Sequence, residues 1–165
     1  MVRALILAWL LSLPLVANAG GAVVGEPAPA VSLPSLTGEG EVSLASLQGK
    51  VVYLDFWASW CPPCRVSFPI LEEIRQSLGP QGFEIYAISV DESRDDAMKF
   101  LEDTAAVSYP LVLDSAGDSP QAYGVRGMPT GYLIDRTGVV RKIHQGFKKS
   151  DGEKLRTAVV QLLGE

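Results

Sequence analysis

Two thiols set the chemistry of this sequence. The 165-residue chain has only two cysteines, in the run Trp60-Cys61-Pro62-Pro63-Cys64. Residues three apart lie on one face of a helix, so these two sulfurs can bond to one another. A strand ending at Trp57 and a helix starting near Cys61 would put the first thiol at a helix N-terminus, where unpaired amides and the helix dipole favour an anion. Thiolate is that anion, and prolines fit early helical positions, which need no amide donor. Cys61 is therefore expected to be the nucleophile, the more exposed of the pair, and Cys64 the buried resolving thiol one turn inward. Two blander readings compete. A structural staple would close a very short loop and so remove little chain entropy, roughly 2 kcal/mol. A metal pair would have two thiolates and the single histidine, His144, short of the four ligands of a structural zinc site. His144 reads instead as a strand-surface residue, and no metal site is expected.

Composition narrows the classes further. With 47% apolar and 20% charged residues the chain is globular, and its length suits one domain with a sizeable core. Nineteen acidic against 14 basic residues give a net charge of −5, which offers no cationic footprint for nucleic acid. At the N-terminus, Arg3, the apolar run Ala4 to Val16 and the A-x-A pattern Ala17-Asn18-Ala19 resemble a secretory signal covering residues 1–19. The expected domain is then 20–165. The apolar run is shorter than the ~20 residues that cross a bilayer, although extension through Val24 would make an uncleaved membrane anchor the alternative.

The elements that must position the thiols follow from periodicity. Val51 to Trp57 is a near-continuous β-branched and aromatic run, as an inner strand covered on both faces requires, with Asp55 its one charged member. Val66, Ile70, Ile74 and Leu78 recur at helical spacing up to the stop Gly79-Pro80, with Pro69 expected to kink the helix. Phe83 to Val90 reads as a second buried strand, and Ser93 with Asp96 as a capping box opening a helix through about Ala106. Tyr109 to Leu113 is a short strand and Ser119 to Tyr123 a short helix. Gly131 to Asp135 and Val139 to Gln145 form a hairpin. Ser150 with Glu153 reads as a capping box for a last helix, whose stripe is Leu155, Ala158, Val159, Leu162 and Leu163. Ahead of all this, Gly25 to Pro29 is extended, and Val31 to Leu36 with Glu41 to Leu44 make a small hairpin. The class is α/β.

The segment Asp55-Phe56-Trp57-Ala58-Ser59-Trp60-Cys61-Pro62-Pro63-Cys64 resembles the thioredoxin active site, and the resemblance extends to Pro69, to the loop Tyr123 to Thr130 and to Gly146. The N-terminal hairpin, Leu47-Gln48-Gly49-Lys50, the Cys-Pro-Pro-Cys pair and an additional helix and strand between Asp91 and Pro129 resemble the TlpA/ResA group of exported, often membrane-tethered thiol-disulfide oxidoreductases. The resemblance implies a thioredoxin fold: a central mixed sheet flanked by helices, with an N-terminal β-hairpin and an inserted helix-strand before the cis-Pro loop. It also implies a periplasmic reductase of protein disulfides, in apocytochrome c or copper-site protein maturation. Such a protein is recharged by a membrane thiol transporter of the DsbD/CcdA type, acts as a monomer, and carries electrons on its own Cys61-Cys64 disulfide without a cofactor. By the same resemblance Pro129 is cis and lies against the sulfurs, the Met128 backbone binds an extended partner segment, and Trp60, Pro62 and Pro63 form the docking surface.

Many members carry a Glu three residues after the second Cys; here Ser67 stands there. Asp55 matches the buried thioredoxin aspartate, which implies a raised pKa and proton exchange with Cys64 through water. The lysine that thioredoxin keeps nearby aligns with Ala87, so desolvation should dominate at Asp55. The missing His in the Pro62-Pro63 dipeptide removes one thiolate stabiliser found in strong oxidants, pointing to a reducing potential. A disulfide oxidase or isomerase is the runner-up, and a copper-binding assembly chaperone the reading from another class. A thiol peroxidase is disfavoured because the threonine it needs three residues before its nucleophile is Ala58 here.

Overall fold

The strand β3 (Val51–Trp57) is buried at every residue, and the reason is visible on its two faces. The structure, a computed structural model, describes residues 20–104 and 106–165; the expected signal segment lies outside them. Val51, Tyr53 and Trp57 point into one apolar layer with Phe68, Leu71, Phe100 and Val159. Val52, Leu54 and Phe56 point into a second layer with Tyr86, Ile88, Tyr123 and Tyr132. A strand covered on both sides cannot alternate apolar with polar, which is why the sequence run is almost unbroken.

Around β3 the sheet has five strands in the order β5-β4-β3-β6-β7. These are β4 (Phe83–Ser89), β5 (Leu111–Leu113), β6 (Thr130–Ile134) and β7 (Val140–Gln145). β3, β4 and β5 run parallel, and β6 and β7 are antiparallel to their neighbours, so the sheet is mixed. Helices α1 (Pro62–Leu78), α2 (Arg94–Glu102) and α4 (Asp151–Leu163) supply apolar residues to the first layer, and α3 (Asp118–Tyr123) places Tyr123 in the second. α2 and β5 are the expected insertion before the cis-Pro loop. The N-terminal hairpin is also present, as β1 (Ser32–Pro34) paired antiparallel with β2 (Glu41–Ser43).

The N-terminal extension is stitched to both sides of the sheet. At one side the Gly25 amide donates to Val140 O (2.8 Å), the Val140 amide to Glu26 O (3.0 Å), and Pro27 bridges Val139. At the other, Ser35 bridges Val112, the Leu36 amide donates to Leu111 O (2.8 Å), and the Arg94 guanidinium donates to the carbonyls of Ser35 and Leu36.

Local capping departs from the expected pattern. α2 stops at Glu102 rather than near Ala106, and its cap Ser93 accepts from the Asp95 amide (3.1 Å) without a reciprocal bond from Asp96. Ser150 makes no capping bond because its backbone is already helical (φ −66°, ψ −13°); Asp151 accepts the Lys148 amide instead (2.9 Å). The strand expected from Tyr109 begins at Leu111, past Pro110, which has no amide for a ladder. α1 runs through Pro69 as one helix.

Candidate active site

Cys61 is the N-cap of α1, with extended backbone (φ −101°, ψ 99°), and Pro62 opens the helix. Cys61 and Cys64 are joined as a disulfide with Cα atoms 5.4 Å apart. The Cys64 amide, which also donates to Cys61 O (3.1 Å), points at Cys61 Sγ (3.2 Å), where it would meet the charge of a thiolate. The expected difference in exposure between the thiols is absent: Cys61 is 2% exposed and Cys64 0%. In this oxidised form the bond draws the Cys61 sulfur over the helix end, into the apolar layer that holds Trp57 and Ala58 and against which Met128 packs. Beside it Trp60 is 66% exposed, Pro62 is exposed and Pro63 half-buried, an apolar rim around a covered disulfide.

The loop from β3 to Cys61 is fixed by a residue that sequence reasoning placed only as a strand end. Asp91, buried just past β4, accepts from the Ser59 amide (3.0 and 3.1 Å), the Ser59 hydroxyl (2.7 Å) and the Ser89 hydroxyl (2.8 Å). Its only sequence signal is an aspartate at the C-terminal end of an inner parallel strand, where α/β sheets build their sites. On the opposite flank the Met128-Pro129 peptide bond is cis. Pairing of Phe56 with Thr130 sets the buried Pro129 beside the end of β3, where the loop to Cys61 begins. The Gly146 amide donates to Pro129 O (2.8 Å) from a left-handed backbone (φ 73°) that suits glycine. Met128 is half-buried between the two core layers.

Asp55 projects to the same side of β3 as Tyr53 and Trp57, toward the layer that contains both cysteines. Its strand neighbours are Ala87 and Gly131, neither charged. It is 1% exposed, and neither carboxylate oxygen has a hydrogen-bond partner. Burial alone pushes its pKa well above the usual carboxylate range. A buried acid without a compensating cation is a candidate for taking and returning a proton. Ser67, in place of the group's glutamate, is buried and donates to Cys64 O (3.1 Å), so no carboxylate from α1 reaches that position.

A cavity of about 360 Å³ lies away from the disulfide, between the lead-in segment and the far ends of β3 and β6, lined by Val31, Leu44, Leu47, Val52 and Ile134 among others. None of Trp60, Cys61, Pro62, Pro63 and Cys64 lines it. Among the described residues no three His, Cys, Asp or Glu side chains cluster as a metal site would need, and no helix is long and apolar enough to cross a membrane.

A dithiol at the N-terminus of the first helix, a cis-proline loop beside it and a buried carboxylate below define a protein disulfide oxidoreductase with a thioredoxin fold. Comparison with known proteins agrees: the Redoxin family model matches residues 23–159. The thiol-disulfide oxidoreductase ResA of Geobacillus thermodenitrificans is 39% identical over 123 residues, covering 74% of this chain and 70% of ResA. The thioredoxin-like protein YneN of Bacillus subtilis is 34% identical, covering 79% and 78%. Among solved structures, a Chlorobium tepidum protein bearing the name thiol:disulfide interchange protein DsbE superposes with a TM-score of 0.83 at 42% identity, over 87% of this chain and all of that one. The chain belongs to the Redoxin family and, within it, to the ResA-type thiol-disulfide oxidoreductases.

Proposed function

We propose that this protein is an exported, periplasmic reductase of protein disulfides. It would serve the maturation of apocytochrome c or of a copper-site protein, and be recharged by a membrane thiol transporter of the DsbD/CcdA type. The observation that carries the direction of electron flow is the surroundings of the disulfide. Cys61 has one amide aimed at its sulfur, two prolines in place of donors, and an apolar layer around it. A reduced form whose thiolate is little stabilised gives up electrons readily, since strong oxidants owe their potential to a stabilised reduced form.

In the cycle, the Cys61 thiolate attacks one sulfur of a partner disulfide, and the partner's other sulfur leaves as a thiolate. Cys64 then loses its proton to Asp55 and attacks Cys61 Sγ. The Cys61-partner bond breaks, the second partner sulfur leaves, and the Cys61-Cys64 bond forms; two electrons have moved to the partner. The pair itself carries the electrons and no cofactor is needed. Met128 and cis-Pro129 would hold the partner as an extended strand, with Trp60, Pro62 and Pro63 as its apolar seat. The protein acts as a monomer in this scheme.

A Cys64→Ser variant tests it, because the mixed disulfide cannot be resolved. Covalent capture through Cys61 of a cytochrome c or copper-centre precursor is expected, with a wild-type potential closer to that of thioredoxin, about −270 mV, than to that of DsbA, about −120 mV. Capture of indiscriminate exported proteins together with a potential near the DsbA value would reverse the direction and make the protein an oxidase.

A further inference from the structure

The proton released by Cys64 onto Asp55 must leave a layer that is closed to solvent, and the sheet beside Asp55 holds an arrangement that the cysteines do not use. Gly131 on β6 is paired with Asp55 on β3 and with His144 on β7. Directly opposed residues of antiparallel strands project to the same face, so Asp55, residue 131 and His144 form one row across the sheet. The middle of the row has no side chain. Tyr53 fills it: its hydroxyl and the ring carbon bearing it occupy the space that a Cβ on residue 131 would need. The hydroxyl thus takes the middle place of the row, over residue 131, with Asp55 on the strand to one side and His144 on the strand to the other. Beyond it is a cavity of about 180 Å³ lined by Tyr53, Lys142, His144, Asp151 and Lys154, with Leu133 and Leu155 as its apolar wall. His144 Nε2 is buried there without a hydrogen-bond partner, 3.6 Å from Asp151 Oδ2.

We propose that the Tyr53 hydroxyl relays protons between Asp55 and this cavity, with His144 as the acceptor at its mouth. The inference rests on the dithiol reading of Cys61 and Cys64. During resolution the Cys64 proton passes to the Asp55 carboxylate. The Asp55 carboxyl then gives a proton, through one bridging water, to the Tyr53 oxygen while the Tyr53 hydroxyl proton passes to a cavity water and on to His144 Nε2 or solvent. Tyr53 ends as it began, Asp55 is again a carboxylate, one proton has left and no electrons have moved in the relay. Passing the proton through needs no free phenolate, which matters because burial first, then the charges of Asp55 and Asp151, push the Tyr53 pKa well up. The charged groups facing the relay are Asp55 from β3, Lys142 and His144 from β7, and Asp151 and Lys154 from α4. Lys154 donates to Asp151 Oδ1 (3.1 Å), while Oδ2 accepts the Lys148 amide (2.9 Å) and lies 3.6 Å from His144 Nε2.

Tyr53→Phe removes the hydroxyl and keeps the ring over Gly131. Stopped-flow reaction of the reduced protein with a peptide disulfide separates formation of the mixed disulfide from its resolution. Tyr53→Phe is expected to slow resolution about tenfold at neutral pH, less than the roughly 10²–10⁴-fold of a lost general base because Asp55 still takes the Cys64 proton, and to enlarge its solvent deuterium isotope effect. Formation of the mixed disulfide and the equilibrium potential should stay at their wild-type values. His144→Gln should slow the same phase, with added imidazole restoring it. Resolution at the wild-type rate in Tyr53→Phe, alongside slow resolution in Asp55→Asn, would overturn the relay and leave the dithiol cycle intact. A changed potential in Tyr53→Phe would also overturn it, because the hydroxyl would then act on the thiols rather than on proton exit. Absence of any mixed disulfide in the wild type would overturn the cycle itself.

Discussion

Replacing Asp55 with Asn should stabilise the oxidised protein, by an amount that grows with pH. In the folded chain the carboxyl is buried without a partner and its pKa is raised by desolvation; in the unfolded chain it has its ordinary value near ~3.9. Between those two values the native state holds a proton that the unfolded state has released. The number bound in U minus that in N is therefore negative, and stability falls as pH rises. The full slope for one proton is about 1.4 kcal/mol per pH unit, reached from about one unit above the unfolded value and ending at the folded pKa. Asn neither titrates nor charges, so the variant-minus-wild-type difference should climb by about 1.4 kcal/mol for each unit within that window and level off beyond it. Urea unfolding of the oxidised forms at half-unit steps from pH 5 upward measures it. With an m-value of about 2 kcal/mol per molar, each unit moves the midpoint difference by about 0.7 M. A difference that stays flat from pH 5 through 8 would mean that the carboxyl ionises as easily folded as unfolded, and would refute both its isolation and its fitness as the Cys64 base.

Trp60→Ala should leave stability within about 0.5 kcal/mol, as its side chain is largely in solvent, yet lower kcat/KM toward a protein disulfide about fivefold while a small aromatic disulfide reacts unchanged; equal loss on both substrates would place Trp60 in the chemistry rather than the docking. Asp91→Ala strands the Ser59 amide and two hydroxyls and should cost about 3 kcal/mol in chemical unfolding, with faster hydrogen exchange confined to the loop before Cys61; protection unchanged there would show that the loop is held by something else. Gly131→Ala would drive a Cβ into the Tyr53 ring and should cost about 1–3 kcal/mol by thermal unfolding, relieved when Tyr53 is also replaced by Leu; an unrelieved loss would locate the strain elsewhere.

Much of the architecture was written in periodicities that depend only on near neighbours. β3 was legible to the residue because a doubly covered strand needs an unbroken apolar run, and α1 because its apolar spacing and the prolines at Pro62 and Pro63 agree on where a helix begins. Asp55 stood out as one charge within such a run, and its lack of a cation followed from Ala87 occupying the paired position. Contacts between distant segments were not legible. Asp91 grips a loop 32 residues earlier, and no local pattern announces that. The same holds for Tyr53 and Gly131, which meet only through the antiparallel pairing of β3 with β6, although a strand-interior glycine does hint at a close approach. Burial of Cys61 was missed because the sequence describes a thiol, whereas the folded chain holds a disulfide. The two capping boxes marked where α2 and α4 begin but not the bonds made there: Ser93 caps without a reciprocal bond, and the helical backbone angle at Ser150 leaves its side chain no cap to form.

The stitching of the lead-in segment at both margins of the sheet bears on how such a protein survives its own substrates. Under the proposed function the protein would meet many unpaired backbones in search of hydrogen bonds, and a bare sheet margin would invite them to add on and polymerise. Here residues 25–27 cover the outer margin at Val139 and Val140, residues 35 and 36 cover the other at Leu111 and Val112, and the uncovered stretch of β7 carries Arg141 and Lys142, charges that discourage strand addition. An extended chain approaching either flank finds its pairing groups already taken, and shortening the N-terminal extension should leave the protein more prone to aggregate.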